Sequence, residues 1–353
     1  MNSRLLENIL AQPDSLRAVA SYQFGEGREA LIRSSEFLRS RKRIVLTGMG
    51  GSFSACIPLA YFFAAHGVSV SLIETSELLY FEMPILDPET AVILVSRSGE
   101  SVEATKLLKA QHGSVVGITN VPHSTLAANA SQTILLGCPP DELVAIQTYT
   151  ASVVVLLLLG AAYVGELDLA RSELDSTLGA LTPWVRECLD QSQRWISFFA
   201  SASPLYVLGR GPSLASVTLG ALLFHEVAKM PAVGMSAAQF RHGPVEVAGE
   251  RFRALIIGSQ EATVEWDAAL AKDLTNVNSQ VRWIGPAINP AIASLCSWPD
   301  NLPARFAPIA EIIPIQLAAY QAAKARGIPL GKFRFAPAIT TSETGLGASV
   351  PAT

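Results

Sequence analysis

Short apolar runs recur along the chain, and each stops at a cluster of turn residues: RIVLTGMGGS (43–52), AVILVSRSGES (91–101), SVVGITN (114–120), LYVLGRGPS (205–213) and RALIIGSQE (253–261). Runs of this length that close on Gly, Ser or Asn read as buried strands. Between them lie helical patterns of about 10–15 residues, and this alternation predicts parallel sheets flanked by helices. The most apolar run, ASVVVLLLLGAAYVG (151–165), is shorter than the roughly 20 residues a membrane span needs, and a buried core helix is expected there. The stretch 166–202 is amphipathic and predicts helix rather than a disordered linker.

The pattern occurs twice. LTGMGGSFSA (46–55) aligns with VLGRGPSLAS (207–216), so Gly48, Gly50 and Ser52 match Gly209, Gly211 and Ser213 at an offset of 161. ETSELLYFEMP (74–84) aligns with GMSAAQFRHGP (234–244) at 160, and VILVSRSGE aligns with ALIIGSQE at about 162. We therefore expect two copies of one doubly wound α/β module, at 31–170 and 201–335. A helical lead-in (1–30), a helical linker (171–200) and a tail (336–353) complete the expected organisation. The length itself allows about two domains.

Composition adds limits. Half of the residues are hydrophobic, 16% are charged and mean hydropathy is +0.34, which fits extensive burial and a subunit interface. Net charge is −4, with no Lys/Arg block, so a nucleic-acid partner is not expected. Cys56, Cys138, Cys188 and Cys296 are scattered without a CxxC, as buried thiols of a reducing compartment would be. The first residues alternate polar and apolar at helical spacing, unlike a secretory signal. A cytoplasmic protein with no membrane partner is expected.

A tight Gly turn between a parallel strand and a helix presents backbone N–H groups and a helix N-terminus to an anion. GMGGS offers Gly50, Gly51 and Ser52 for this, although such turns also occur for steric reasons alone. It is not a GxGxxG dinucleotide fingerprint. SRSGES is more telling. Ser96, Ser98 and Ser101 place three hydroxyls in six residues, whereas an N-cap needs only one. Three short donors favour a phosphate.

GALLFHEVAKMPAVGMSAAQFRHGPVEV (220–247) sets Glu226 inside an apolar helix, followed by Arg241, His242, Gly243 and Pro244. Two readings stand. Glu226 is a partly exposed carboxylate pairing with Lys229 at i+3. Alternatively, it is a desolvated carboxyl suited to moving a proton. The second gains weight from the Gly turns and the serine loop. His225 points about 100° away on the helix and is expected to be structural or at an interface. His66, His112 and His123 carry no chemical signal.

GMGGS, SRSGES and GRGPSLASVTLGALLFHEVAKMPAVGMSAAQFRHGP resemble the sugar isomerase (SIS) domains. The closest resemblance is to the tandem pair in the isomerase half of glucosamine-6-phosphate synthase and its stand-alone relatives. The similarity runs from about residue 5 to about residue 330. It implies two tandem SIS modules, each a parallel sheet flanked by helices in a flavodoxin-like three-layer sandwich. It also implies that Ser52, Ser96, Arg97, Ser98 and Ser101 hold a sugar 6-phosphate. Glu226 would move a proton between C1 and C2 of the open-chain sugar. His242 would help open the ring, often as the partner subunit's contribution. A homodimer with a shared active site follows, without metal or redox cofactor.

Departures from the family narrow the activity. The chain opens Met1-Asn2 rather than on a cysteine nucleophile, so no glutaminase domain and no use of glutamine as ammonia source are expected. Leu219 and Leu223 replace a glutamate and a lysine of the synthase. The tail GIPLGKFRFAPAITTSE places Ala338 near the position of the synthase's Schiff-base lysine; Lys332 and Arg334 lie close by but out of register. Glu142, Lys332 and Arg334 remain candidate substrate contacts. The expected enzyme is a phosphosugar isomerase, deaminase or deglycase acting on a hexose, amino-sugar or fructosyl-amine 6-phosphate. The alternatives are a plain aldose–ketose phosphate isomerase and a non-catalytic sugar-phosphate sensor.

Overall fold

A computed structural model describes residues 3–110, 114–141, 144–199, 201, 203–289, 291–330, 332–335 and 339–344. The chain divides into two compact units. The N unit comprises Asp14–Ser172 with Lys332–Thr353, and the C unit comprises Met1–Pro13 with Glu173–Gly331.

The N unit is built on strands β1 (Arg43–Gly48), β2 (Val70–Leu72), β3 (Thr90–Val95), β4 (Val115–Thr119) and β5 (Gln132–Leu135). They pair in parallel in the order β2-β1-β3-β4-β5. All residues of β3 and β4 are buried. Central parallel strands are covered on both faces, which is why these segments read as continuous apolar runs rather than alternating ones.

Helix Gln147–Val164 is buried over nearly all its length. It begins before the apolar run because Asp141 caps its first turn, accepting from the backbone N–H of Ile146 (3.0 Å), Gln147 (3.1 Å) and Thr148 (2.9 Å). At 18 residues it is long and apolar enough to cross a membrane, yet 89% of it is buried in the protein. It packs against helices Gly51–Ala65 and Arg28–Arg39, as a helix that is apolar all round must.

The C unit holds β6 (Leu205–Gly209), β7 (Ala232–Ser236), β8 (Arg253–Ile257) and β9 (Gln280–Ile284). They are parallel, in the order β7-β6-β8-β9. Helix Ala307–Ala325 is buried over most of its length and packs on helix Leu214–Glu226. Arg253 is also buried; burial pushes its guanidinium down to about 10, and it donates to the carbonyls of Phe198, Ser201 and Ser203. All four cysteines are buried free thiols.

The fold is thus α/β, with two parallel sheets flanked by helices. In each sheet the first strand is central, and the chain crosses to one side of it and then to the other. The strand order therefore reverses between β1 and β3, and again between β6 and β8. Open α/β sheets bind ligands outside the carboxyl ends of their strands at such switch points.

Candidate functional site

At the N-unit switch point, Gly48 pairs with Val95, so the turn after β1 and the serine loop after β3 leave the sheet side by side. Gly50 takes φ +52 as the residue before helix Gly51–Ala65, a conformation L side chains adopt only with strain. This lets the turn tighten directly onto a 15-residue helix, with Met49 O accepting from Ser52 N (3.0 Å) and Phe53 N (3.4 Å).

The serine loop is held by its own backbone. Ser96 N–H donates to Ile118 O (3.0 Å), while Arg97 O accepts from Asn120 N (3.1 Å) and from Thr119 Oγ1 (3.1 Å). Gly99, at φ +67, passes so close to Ser124 that a Cβ would lie 2.2 Å from its Oγ. The Glu100 carboxylate turns away to cap helix Thr125–Asn129, accepting from Thr125 N (2.6 Å) and Oγ1 (2.7 Å). Ser96 Oγ accepts from Gly99 N and Ser98 Oγ from Glu100 N, both at 3.2 Å. Among the described residues, the hydroxyl protons of Ser52, Ser96, Ser98 and Ser101 find no acceptor, so each remains available to donate. The strand pairing therefore brings the β1-turn and serine-loop residues together at the carboxyl ends of β1 and β3.

The tail of the chain reaches the same loop. Thr340 O accepts from Val102 N (3.0 Å), the residue after Ser101. Glu343 accepts from Tyr80 OH (2.7 Å) and pairs with Lys106. Hydrogen bonds from Lys106 and then Tyr80 hold the Glu343 carboxyl below its ordinary range. No local pattern announces this docking, because its partners lie more than 230 residues apart. Lys332 and Arg334 are exposed members of the tail segment. Glu142 and Ala338 lie outside the described residues.

Glu226 and His242 belong to the C unit. Glu226 is the last residue of helix Leu214–Glu226 and is half-buried. A carboxylate there meets the negative end of the helix dipole, so helix stability does not explain it. Lys229, at φ +50, donates to the backbone carbonyl of Glu226. His225 Nε2 sits 2.9 Å from Ala232 O and 3.1 Å from Ala232 N, which ties the helix end to β7. His242 is exposed in the turn after helix Ala237–Phe240, and its neighbour Arg241 pairs with Asp273 at 2.8 Å.

The C-unit switch point contains a group that the sequence reading missed. Glu311, fully buried on helix Ala307–Ala325, accepts at Oε1 from Ser213 Oγ (2.8 Å), from Ser259 Oγ and from Gln260 Nε2 (3.4 Å). Among the described residues its Oε2 has no hydrogen-bond partner. Burial pushes this carboxyl up against the opposing pull of those donors. The available signal was a lone carboxylate in an otherwise apolar helical run, the same signal that singled out Glu226.

Residues 37–164 match the SIS domain model. The isomerizing glutamine–fructose-6-phosphate aminotransferase of Pyrococcus horikoshii is 29% identical over 338 residues, covering 92% of this chain and 55% of that protein. The chain thus spans about half the length of that relative. The C-terminal domain of glucosamine-fructose-6-phosphate aminotransferase from Francisella tularensis superposes with a TM-score of 0.83 at 17% identity, covering 94% of this chain and 98% of that one. Glucosamine-6-phosphate deaminase from Thermotoga maritima superposes with a TM-score of 0.73 at 18% identity, over 92% and 96% of the two chains. The chain therefore carries a SIS domain match at residues 37–164 and is homologous to the isomerase domain of the glutamine–fructose-6-phosphate aminotransferases.

Proposed function

We propose that this chain is a soluble cytoplasmic enzyme acting on an open-chain hexose or amino-sugar 6-phosphate, built from two SIS modules and working as a homodimer. The observation that carries this reading is the set of hydroxyls that find no acceptor among the described residues, beside the start of helix Gly51–Ala65 at the N-unit switch point. Gly50, Gly51, Ser52, Ser96, Arg97, Ser98 and Ser101 hold the phosphate. Glu226 takes the proton from C2 and returns it to C1. His242, exposed on the C unit, assists ring opening at the partner's site.

On an amino-sugar phosphate, this proton transfer leaves an imine at C2. Hydrolysis then consumes one water and releases one ammonia, leaving a ketose phosphate. The likeness to the Thermotoga maritima deaminase supports this branch. A fructosyl-amine phosphate would follow the same proton path in reverse and release an amine. The test is a panel of 6-phosphosugars and amino-sugar 6-phosphates, with ammonia and ketose phosphate measured in the same reaction. Equal yields of the two establish deamination. Ketose phosphate from an aldose phosphate, with no nitrogen released from any amino sugar, establishes a plain isomerase instead. No turnover of any member overturns the enzymatic reading.

A further inference from the structure

The two switch points are built from corresponding residues but are filled differently. At an offset of 161, Gly50 and Ser52 correspond to Gly211 and Ser213; beyond β3 and β8 the strand register sets the offset at 162, so Arg97 and Ser98 correspond to Ser259 and Gln260. Gly50 and Gly211 share the left-handed turn, at φ +52 and φ +55. Register repeats as well: Leu208 pairs with Ile256, so the turn after β6 and the loop after β8 leave the sheet together. In the N unit, the hydroxyls of Ser52 and Ser98 have no acceptor among the described residues. In the C unit, Ser213 and Ser259 both donate to one oxygen of Glu311, with Gln260 as a third donor.

We propose that the C-unit switch point is a second phosphate-type cradle that the chain closes with its own anion, the Glu311 carboxylate. This rests on reading the N-unit cradle as the phosphate site. Glu311 has no solvent exposure, and nothing on helix Ala307–Ala325 requires a carboxylate at that position. Burying a carboxylate is costly unless donors compensate it, and here the compensating donors Ser213, Ser259 and Gln260 correspond to Ser52, Arg97 and Ser98 of the N-unit cradle. Its Oε2, without a hydrogen-bond partner among the described residues, marks a ligand that fills the cradle imperfectly. The neighbouring cation is also spoken for: Arg210 Nε pairs with buried Asp267 at 2.7 Å. A cavity of about 900 Å³ has Ser259 in its wall, with Glu187, Glu261 and Asp300, so the cradle adjoins open space. Glu311 thereby limits the chain to one phosphate and fixes which sheet receives it.

The experiment counts inorganic phosphate bound per chain at pH 8 by equilibrium dialysis. It compares wild type, Glu311→Ala, the double variant Ser98→Ala/Ser101→Ala, and that double variant carrying Glu311→Ala. The expected counts are one, two, none and one. Two sites in the wild type overturn the proposal outright, with no variant needed. A folded Glu311→Ala protein that gains no site over its parent in either background also overturns it. Glu311→Ser, whose hydroxyl still satisfies one donor, replaces Glu311→Ala if the latter does not fold. A count of zero in the wild type and one in Glu311→Ala sustains the closed cradle while refuting the N-unit phosphate reading, so the two failures are distinguishable.

Discussion

The loops at the two sheet edges share spacing, turn geometry and strand register, yet their chemistry differs. Ser96, Ser98 and Ser101 stand on a loop held by backbone bonds, by Thr119 Oγ1 and Glu100, and by the close passage of Gly99, and among the described residues their hydroxyl protons find no acceptor. Ser213 and Ser259 spend their hydroxyls on a buried carboxylate. The comparison teaches that a duplicated scaffold can specialise by changing what fills a cradle rather than by rebuilding it. Under the proposed function, substrate holding falls to the N-unit loops and proton transfer to Glu226.

The sharpest break in that division is Glu226→Gln. It should lower kcat by about 10²–10⁴-fold, the usual worth of a general base, and stop solvent deuterium exchange at C1 and C2. Phosphosugar binding, measured by calorimetry, should stay within a few-fold of wild type. Exchange at the wild-type rate would return Glu226 to a purely structural role. Next in size is Ser98→Ala/Ser101→Ala. Charge-assisted hydrogen bonds contribute roughly 1.5–3 kcal/mol each, so phosphosugar affinity should fall tenfold or more. Unchanged affinity would move the phosphate elsewhere.

Gly99→Ala and Gly211→Ala sharpen the structural side of the comparison. Both glycines have positive φ, but a Cβ on Gly99 strikes Ser124 whereas one on Gly211 meets nothing within 4 Å. Left-handed strain alone costs about 1–2 kcal/mol. Gly99→Ala should therefore lose more stability than Gly211→Ala in urea unfolding, because it adds a clash to the same strain. Equal losses would show that the serine loop yields freely.

The smallest effect is on the tail. The Glu343 carboxyl is held below its ordinary range in the folded protein, so its contribution is fully present above the unfolded value of about 4.3. It is lost as pH falls through the lowered folded value. Protease cleavage within 339–344 should accelerate only in that acid window, and Glu343→Gln should flatten the profile. Cleavage independent of pH would mean that the pairing with Lys106 and Tyr80 does not hold the tail.

Much of this was legible locally. Strands β1, β3, β4, β6 and β8 lie where the apolar runs end in turn residues, because burial on both faces and the turn that follows are short-range demands. SRSGES advertised its hydroxyls by their density alone. Helix Gln147–Val164 was found, but its start was not, since the Asp141 cap depends on how the preceding loop folds back.

What the sequence by itself determined is the alternation of strand and helix, the paired glycine turns and the short list of chemical candidates, all written within windows of about ten residues. Tertiary structure decided the fate of each polar group. Glu226 and Glu311 are both single carboxylates in apolar helical runs, yet one ends its helix half-buried and the other is fully enclosed by Ser213, Ser259 and Gln260. Ser213 and Glu311 lie 98 positions apart, and Lys106 and Glu343 lie 237 apart. Desolvation and hydrogen-bond satisfaction depend on neighbours brought together in space, and no periodicity along the chain records which neighbours those will be.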